Sequence, residues 1–140
     1  MHYIDTSVLA AYYAPEERSA RVQRLLSRLE GPTVSPLVEV ELCCAVARKV
    51  RAGEMDAVAA NRVFAQFQMH LAQPRFRIVP IHAPEYVLAR EWIVSMTSPL
   101  RVLDALHLAA AFSNGLVLVT ADQGLADSAR RLGVKHKLVH

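Results

Sequence analysis

The segment Leu116-Val117-Leu118-Val119-Thr120-Ala121-Asp122 carries four large apolar residues in a row, then a hydroxyl, a small residue and an acid. An unbroken apolar run of this length fits a strand buried on both faces, as in the interior of a parallel sheet. Asn114-Gly115 just before it is a helix-ending signal. After it, a helix is expected from Asp122 to Leu132, closed by Gly133. Helix, buried strand and helix joined by short turns is the local order of an α/β protein.

The same order extends along the rest of the chain. Tyr3-Ile4 reads as a short buried strand ending at Asp5, and a helix over 6–13 follows, stopped by Pro15. A second helix is expected over 16–29, with Val22, Leu25, Leu26 and Leu29 at helical spacing, before Gly31-Pro32 break the chain. Thr33-Val34-Ser35 reads as a second strand. Ser35 would cap a helix that has Pro36 in its first turn and runs to about Arg51. A helix over 54–71 sets Ala57, Phe64, Phe67 and Leu71 on one side. A third strand over 76–81, helices over 84–96 and 100–112, and an edge strand over 134–139 complete the series. The expected fold is α/β: three layers, α/β/α, around a parallel sheet of about four or five short strands. Residues 1–140 are expected to form one domain.

Composition narrows the class. The hydrophobic share is 53% and the mean hydropathy +0.20, too rich for a disordered chain. No apolar run reaches the ~18 residues of a membrane span, and the start does not read as a signal peptide. No membrane partner is expected. Cys43 and Cys44 are adjacent and read as a buried pair of free thiols, which suits a reducing cytoplasm. The net charge of +3 permits a nucleic-acid partner without demanding one.

The positions of the acids carry the chemistry. In open parallel sheets, ligands bind beyond the carboxyl ends of the strands. Asp5 and Asp122 follow two strands directly, while Glu41 and Asp104 sit near the starts of helices entered from the same side. Buried like charges repel, and several carboxylates within ~6 Å need a counter-ion. All-oxygen ligands favour Mg²⁺ or Mn²⁺, and a metal held by a few carboxylates suits phosphodiester hydrolysis. Each acid also has a plainer reading; Asp122, after Thr120-Ala121, makes a good helix cap.

At this point the chain resembles a known family. Ile4-Asp5-Thr6-Ser7, Ser35-Pro36-Leu37-Val38-Glu39-Val40-Glu41-Leu42, Leu103-Asp104-Ala105-Leu106-His107-Leu108-Ala109 and Val119-Thr120-Ala121-Asp122 look like the four signature segments of PIN-domain nucleases. Length and order are similar to the VapC toxins of type II toxin–antitoxin pairs. The resemblance implies a Mg²⁺- or Mn²⁺-dependent endoribonuclease whose acidic cluster is Asp5, Glu41, Asp104 and Asp122. It implies polar support from Ser7 and Thr120, and it selects Glu41 over Glu39, which lies about 200° away around a helix. It also implies a VapB-like antitoxin, a homodimer and an RNA substrate.

Other features have two readings. His107, one turn from Asp104, could support the site or be a structural hydrogen-bonder, the commoner role. Arg18, Arg21, Arg24 and Arg28 share one side of the second helix and read first as a solvated face, second as a phosphate-binding or partner-binding row. Arg101 lies close to Asp104 and could meet phosphate. A phosphorylated receiver module, with Asp5, Thr120 and Lys135 in its pocket, is a competing function. It would leave Glu41 and Asp104 idle. A catalytically silent PIN scaffold is disfavoured, since no signature acid is missing.

Overall fold

Tyr3 and Ile4 are fully buried at the middle of a sheet in the computed structural model, which describes residues 1–14 and 17–140. The strands are β1 (His2–Ile4), β2 (Thr33–Val34), β3 (Arg77–Ile78), β4 (Val117–Thr120) and β5 (His136–Leu138). All pairings are parallel and the order is β3-β2-β1-β4-β5. Ile4 lies opposite Val119, and Thr120 opposite Leu138. The chain leaves β1 toward one edge through β2 and β3, then returns to its other side for β4. That reversal opens a crevice beyond the carboxyl ends of β1 and β4.

The helices are α1 (Thr6–Tyr13), α2 (Ser19–Ser27), α3 (Pro36–Arg51), α4 (Ala57–Ala72), α5 (Ala83–Val94), α6 (Val102–Ser113) and α7 (Gln123–Arg131). Val8, Leu9, Val22, Val38, Leu42, Leu108 and Leu118 interlock in one core at no more than 1% exposure. Each such side chain contributes about 1.5–3 kcal/mol of transfer free energy. Gly115 ends α6 with φ +63°, a conformation that penalises a Cβ.

Several boundaries differ from those expected. β3 is two residues rather than six, because its sheet partner β2 is itself only two residues long. Pro80 offers no N–H to extend it. α4 starts at Ala57, capped by the Asp56 carboxylate, which accepts from Ala59 N at 2.7 Å, and not at Glu54. Its buried face is Ala60, Val63, Phe67 and His70; Ala57 is exposed. α2 is shorter than 16–29, and the expected stop at Pro15 and start at Glu16 lie outside the described residues. Cys43 and Cys44 are free, but Cys43 is only half-buried and Cys44 is exposed, so they are not a buried pair. Among the described residues no helix is long and apolar enough to cross a membrane.

Candidate active site

Asp5 leaves β1 at its carboxyl end and caps α1. Its Oδ1 accepts from Val8 N at 3.2 Å. Ser7 Oγ donates to Oδ1 at 2.7 Å and Thr120 Oγ1 donates to Oδ2 at 2.6 Å. The carboxylate is 3% exposed, and its hydrogen-bond donors are hydroxyls and an amide, none of them cationic. Burial pushes the Asp5 carboxyl up, against the lowering pull of the Thr120 and Ser7 hydrogen bonds and of His107. A site that raises a carboxyl's pKa gains most from a nearby cation.

Thr120 ends β4 and is fully buried. Its hydroxyl donates to Asp5 and accepts from Asp122 N at 3.0 Å, tying the first acid to the last. Ser7 Oγ accepts from Ala121 N at 2.8 Å and lies 3.3 Å from Thr120 Oγ1. Asp122 Oδ1 accepts from Leu125 N at 3.1 Å, so Asp122 is the α7 cap.

Glu41 has a different environment. It lies one and a half turns into α3 and accepts from Thr6 Oγ1 at 3.0 Å. His107 Nε2, from α6, is hydrogen-bonded to the same Glu41 oxygen. Burial raises the Glu41 carboxyl, but the His107 hydrogen bond and charge, with Thr6 and Arg101, outweigh it and hold it below the usual carboxylate range. Behind His107 its Nδ1 meets Tyr3 Oη at 2.9 Å, and Tyr3 Oη meets Ser35 Oγ at 2.7 Å. Burial pushes the Tyr3 phenol up, keeping it a neutral donor. Ser35 therefore does not cap α3 with its side chain; the hydroxyl is spent on Tyr3. Glu39 points elsewhere, accepting from Gln68 of α4 at 2.8 Å.

Asp104 stands in the first turn of α6, where Arg101 Nε donates to its Oδ2 at 3.2 Å. That hydrogen bond and charge raise the Arg101 guanidinium, and Asp122 and Glu41 add to it from further off. One exposed guanidinium thus feels three of the four acids. Asp5 and Asp122 are joined through Thr120, whereas Glu41 and Asp104 are held by partners of their own. Among the described residues no three carboxylate, imidazole or thiol groups are closed into a ready ligand set. The chemistry of Asp5 by itself suits a hard divalent ion: an oxygen ligand buried among neutral hydrogen-bond donors. Lys135 precedes β5, at the opposite end of the sheet, which removes the receiver-like pocket.

The sequence reading did not anticipate the contacts of Tyr3, Thr6 and Ser35. Thr6 follows Asp5 directly, but its Glu41 partner is 35 residues away and carries no local signal.

The chain has relatives among known proteins in both sequence and fold. Ribonuclease VapC3 of Pyrobaculum aerophilum is 26% identical over 124 residues, covering 89% of this chain and 91% of that protein. The crystal structure of Mycobacterium tuberculosis VapC20, described as a toxin that cleaves the sarcin-ricin loop, is 20% identical with a TM-score of 0.74, covering 91% of this chain and 95% of that one. VapBC2 of Rickettsia felis, solved on a DNA fragment from its promoter, is 15% identical with a TM-score of 0.73 and full coverage, 100% of each chain. The PIN-domain family profile matches residues 2–131. A match of that span is membership rather than likeness: the chain belongs to the PIN-domain family.

Proposed function

We propose that this protein is a metal-dependent endoribonuclease, the toxin of a VapBC-type pair, and that one PIN domain spans residues 1–140. The observation that carries the reading is Asp5: a carboxylate 3% exposed, at the sheet's switch point, with neutral donors only. Such a group is costly to ionise without a cation. A Mg²⁺ or Mn²⁺ ion would be held by Asp5 with Glu41, Asp104 and Asp122, supplying charge for the phosphate oxygens and acidity for the attacking water.

The chain's own residues do the rest. Ser7 and Thr120 fix both oxygens of Asp5, and Thr120 sets the start of α7, where Asp122 sits. Glu41, kept ionised beside His107 and Thr6, is suited to orient a water by accepting its hydrogen bond. Arg101, exposed beside Asp104, is placed to meet a substrate phosphate. Among the described residues no Ser/His/Asp arrangement offers a nucleophile.

Partners follow the same reading. A cognate VapB-like antitoxin is supported by relatives solved as VapBC complexes. A homodimer is supported by the exposed apolar side chains of Val94, Met96, Val102 and Phe112 on α5, α6 and the turn between them. Free cysteines favour a reducing compartment such as the cytoplasm. The decisive experiment is cleavage of total RNA by purified protein. Cutting with Mg²⁺ or Mn²⁺ that stops with EDTA and is lost in Asp5→Asn supports the reading; cutting that Asp5→Asn leaves untouched refutes the site.

A further inference from the structure

An acidic site repels the phosphates of its own substrate, so a nuclease of this kind needs a cationic footing beside it. Arg18, Arg21, Arg24 and Arg28 follow one side of α2 over about 15 Å. The fold turns that row into one wall of a cleft of about 470 Å³. Arg21, Arg24 and Arg28 line it from α2, Lys137 from β5 and His2 from β1, and no acidic side chain lines it. All four cationic side chains are exposed, and among the described residues none is paired with an acidic side chain.

Backbone hydrogen bonds tie the cleft wall to the strand that carries the site. Val139 N donates to Thr120 O at 2.8 Å, so the cleft wall of Leu138 and Val139 abuts the hydroxyl residue that joins Asp5 to Asp122. Arg18 Nη1 donates to Ala121 O at 3.2 Å, one residue from Asp122. Arg21 donates to His140 O, fixing the upper part of the row. Arg24 and Arg28 lead away toward His2, at the amino end of β1.

We propose that the α2–β5 cleft is a track for the phosphate backbone of a single RNA strand leaving the acidic site, gripped by Arg21, Arg24, Arg28 and Lys137. The inference rests on the nuclease reading and deepens it. Side chains of this type at helical spacing contact phosphates without reading bases, so the track adds affinity and not sequence choice.

The test measures binding separately from cutting. Wild-type protein in EDTA is titrated against a labelled single-stranded RNA of about 20 nucleotides over a range of salt, and compared with Arg21→Gln/Arg24→Gln/Arg28→Gln. A charge-matched control, Arg48→Gln/Arg51→Gln/Arg62→Gln, changes exposed arginines of α3 and α4. Thermal melts check that all three proteins fold alike. The cleft variant is expected to bind at least tenfold more weakly at low salt, with a log–log salt slope shallower by about 2, as three lost phosphate contacts predict. The control should keep the wild-type slope. An unchanged slope in the cleft variant overturns the track, as does an equal loss in the control or no RNA binding by the wild type. Loss of binding to a decaglutamate peptide with RNA binding intact would assign the cleft to an acidic protein segment instead. Binding that follows the expected pattern without cleavage in Mg²⁺ or Mn²⁺ would leave the track standing and sink the nuclease reading.

Discussion

The imidazole of His107 is hydrogen-bonded to the carboxylate of Glu41, across 66 residues of sequence, and its other nitrogen is held by Tyr3. The contact fixes the acid from behind. Glu41 alone on an exposed helix face would sample several rotamers; here Thr6 and His107 both hold its Oε1. The supporting atoms are in the core, since Tyr3 is fully buried and Ser35 and His107 are nearly so. The site and the hydrophobic core therefore share residues.

That sharing makes Tyr3→Phe informative. The phenol joins Ser35 to His107, and phenylalanine keeps the ring's volume while leaving both groups short of a partner. An unsatisfied buried polar group costs about 1–3 kcal/mol. Urea unfolding should show a loss in that range with an unchanged m-value. A change under about 0.3 kcal/mol would mean water replaces the hydroxyl.

Asp5 predicts an inverted stability effect. Burial raises its folded-state pKa, so the folded protein holds the proton more tightly than the unfolded chain. Without metal, its contribution to stability is greatest at low pH and is lost as pH rises from the unfolded carboxyl value through the folded one. Asp5→Asn should thus be as stable as wild type or more so near neutral pH in EDTA, while losing all cleavage. Melting curves across pH in EDTA test this; a marked destabilisation near neutral pH would refute it.

Glu41 has the opposite sign. Its folded-state pKa is held below the unfolded value, so its ionised form stabilises the fold above the unfolded value, and that share is lost as pH falls through the folded pKa. Glu41→Gln should be less stable than wild type at neutral pH, with the gap closing in acid. A gap that stays constant with pH would show that packing, not charge, holds Glu41.

Much of this was legible before the fold was known. The α1 and α3 boundaries at Thr6–Tyr13 and Pro36–Arg51 follow from local signals: an acid cap, a proline in the first turn, a break after each. β4 was visible as an apolar run, and Asp5 and Asp122 followed from strand ends. What could not be read depends on distant pairing. β3 shrank because β2 is short, Ser35 abandoned its cap for Tyr3, and the arginine row of α2 became a cleft wall only when β5 came to face it. His107 reads more readily as structural than as site-supporting, and its ring is indeed satisfied on both sides, by Tyr3 and by Glu41, one of the acids of the proposed site.

Metal should appear as a stability term as well as a rate term. An ion that binds the folded chain alone stabilises it by an amount that grows with its concentration, about 2.7 kcal/mol at a hundredfold excess over Kd. Mn²⁺ should raise the melting temperature of wild type and of Arg101→Gln, but not of Asp5→Asn. The Arg101 change removes Asp104's ion pair without removing an acid, so metal affinity should rise or hold while KM for RNA increases. Equal Mn²⁺ shifts in wild type and Asp5→Asn would place the ion elsewhere.

Thr120 offers the sharpest dissection of the site, because one oxygen serves two acids. Its hydroxyl donates to Asp5 at 2.6 Å and accepts the Asp122 backbone N–H at 3.0 Å. Thr120→Val keeps the branched shape in a fully buried position and removes both bonds; Thr120→Ser keeps the hydroxyl and removes a methyl. A hydrogen bond to a charged group contributes about 1.5–3 kcal/mol, which would appear as roughly 10- to 100-fold in kcat/KM if it is spent on orienting Asp5. The valine variant should lose activity on that scale, and the serine variant should recover most of it despite a small cavity cost in stability. The alternative is that Thr120 serves only β4 packing. Serine would then be the more damaging change, and valine would cleave RNA almost as well as the parent.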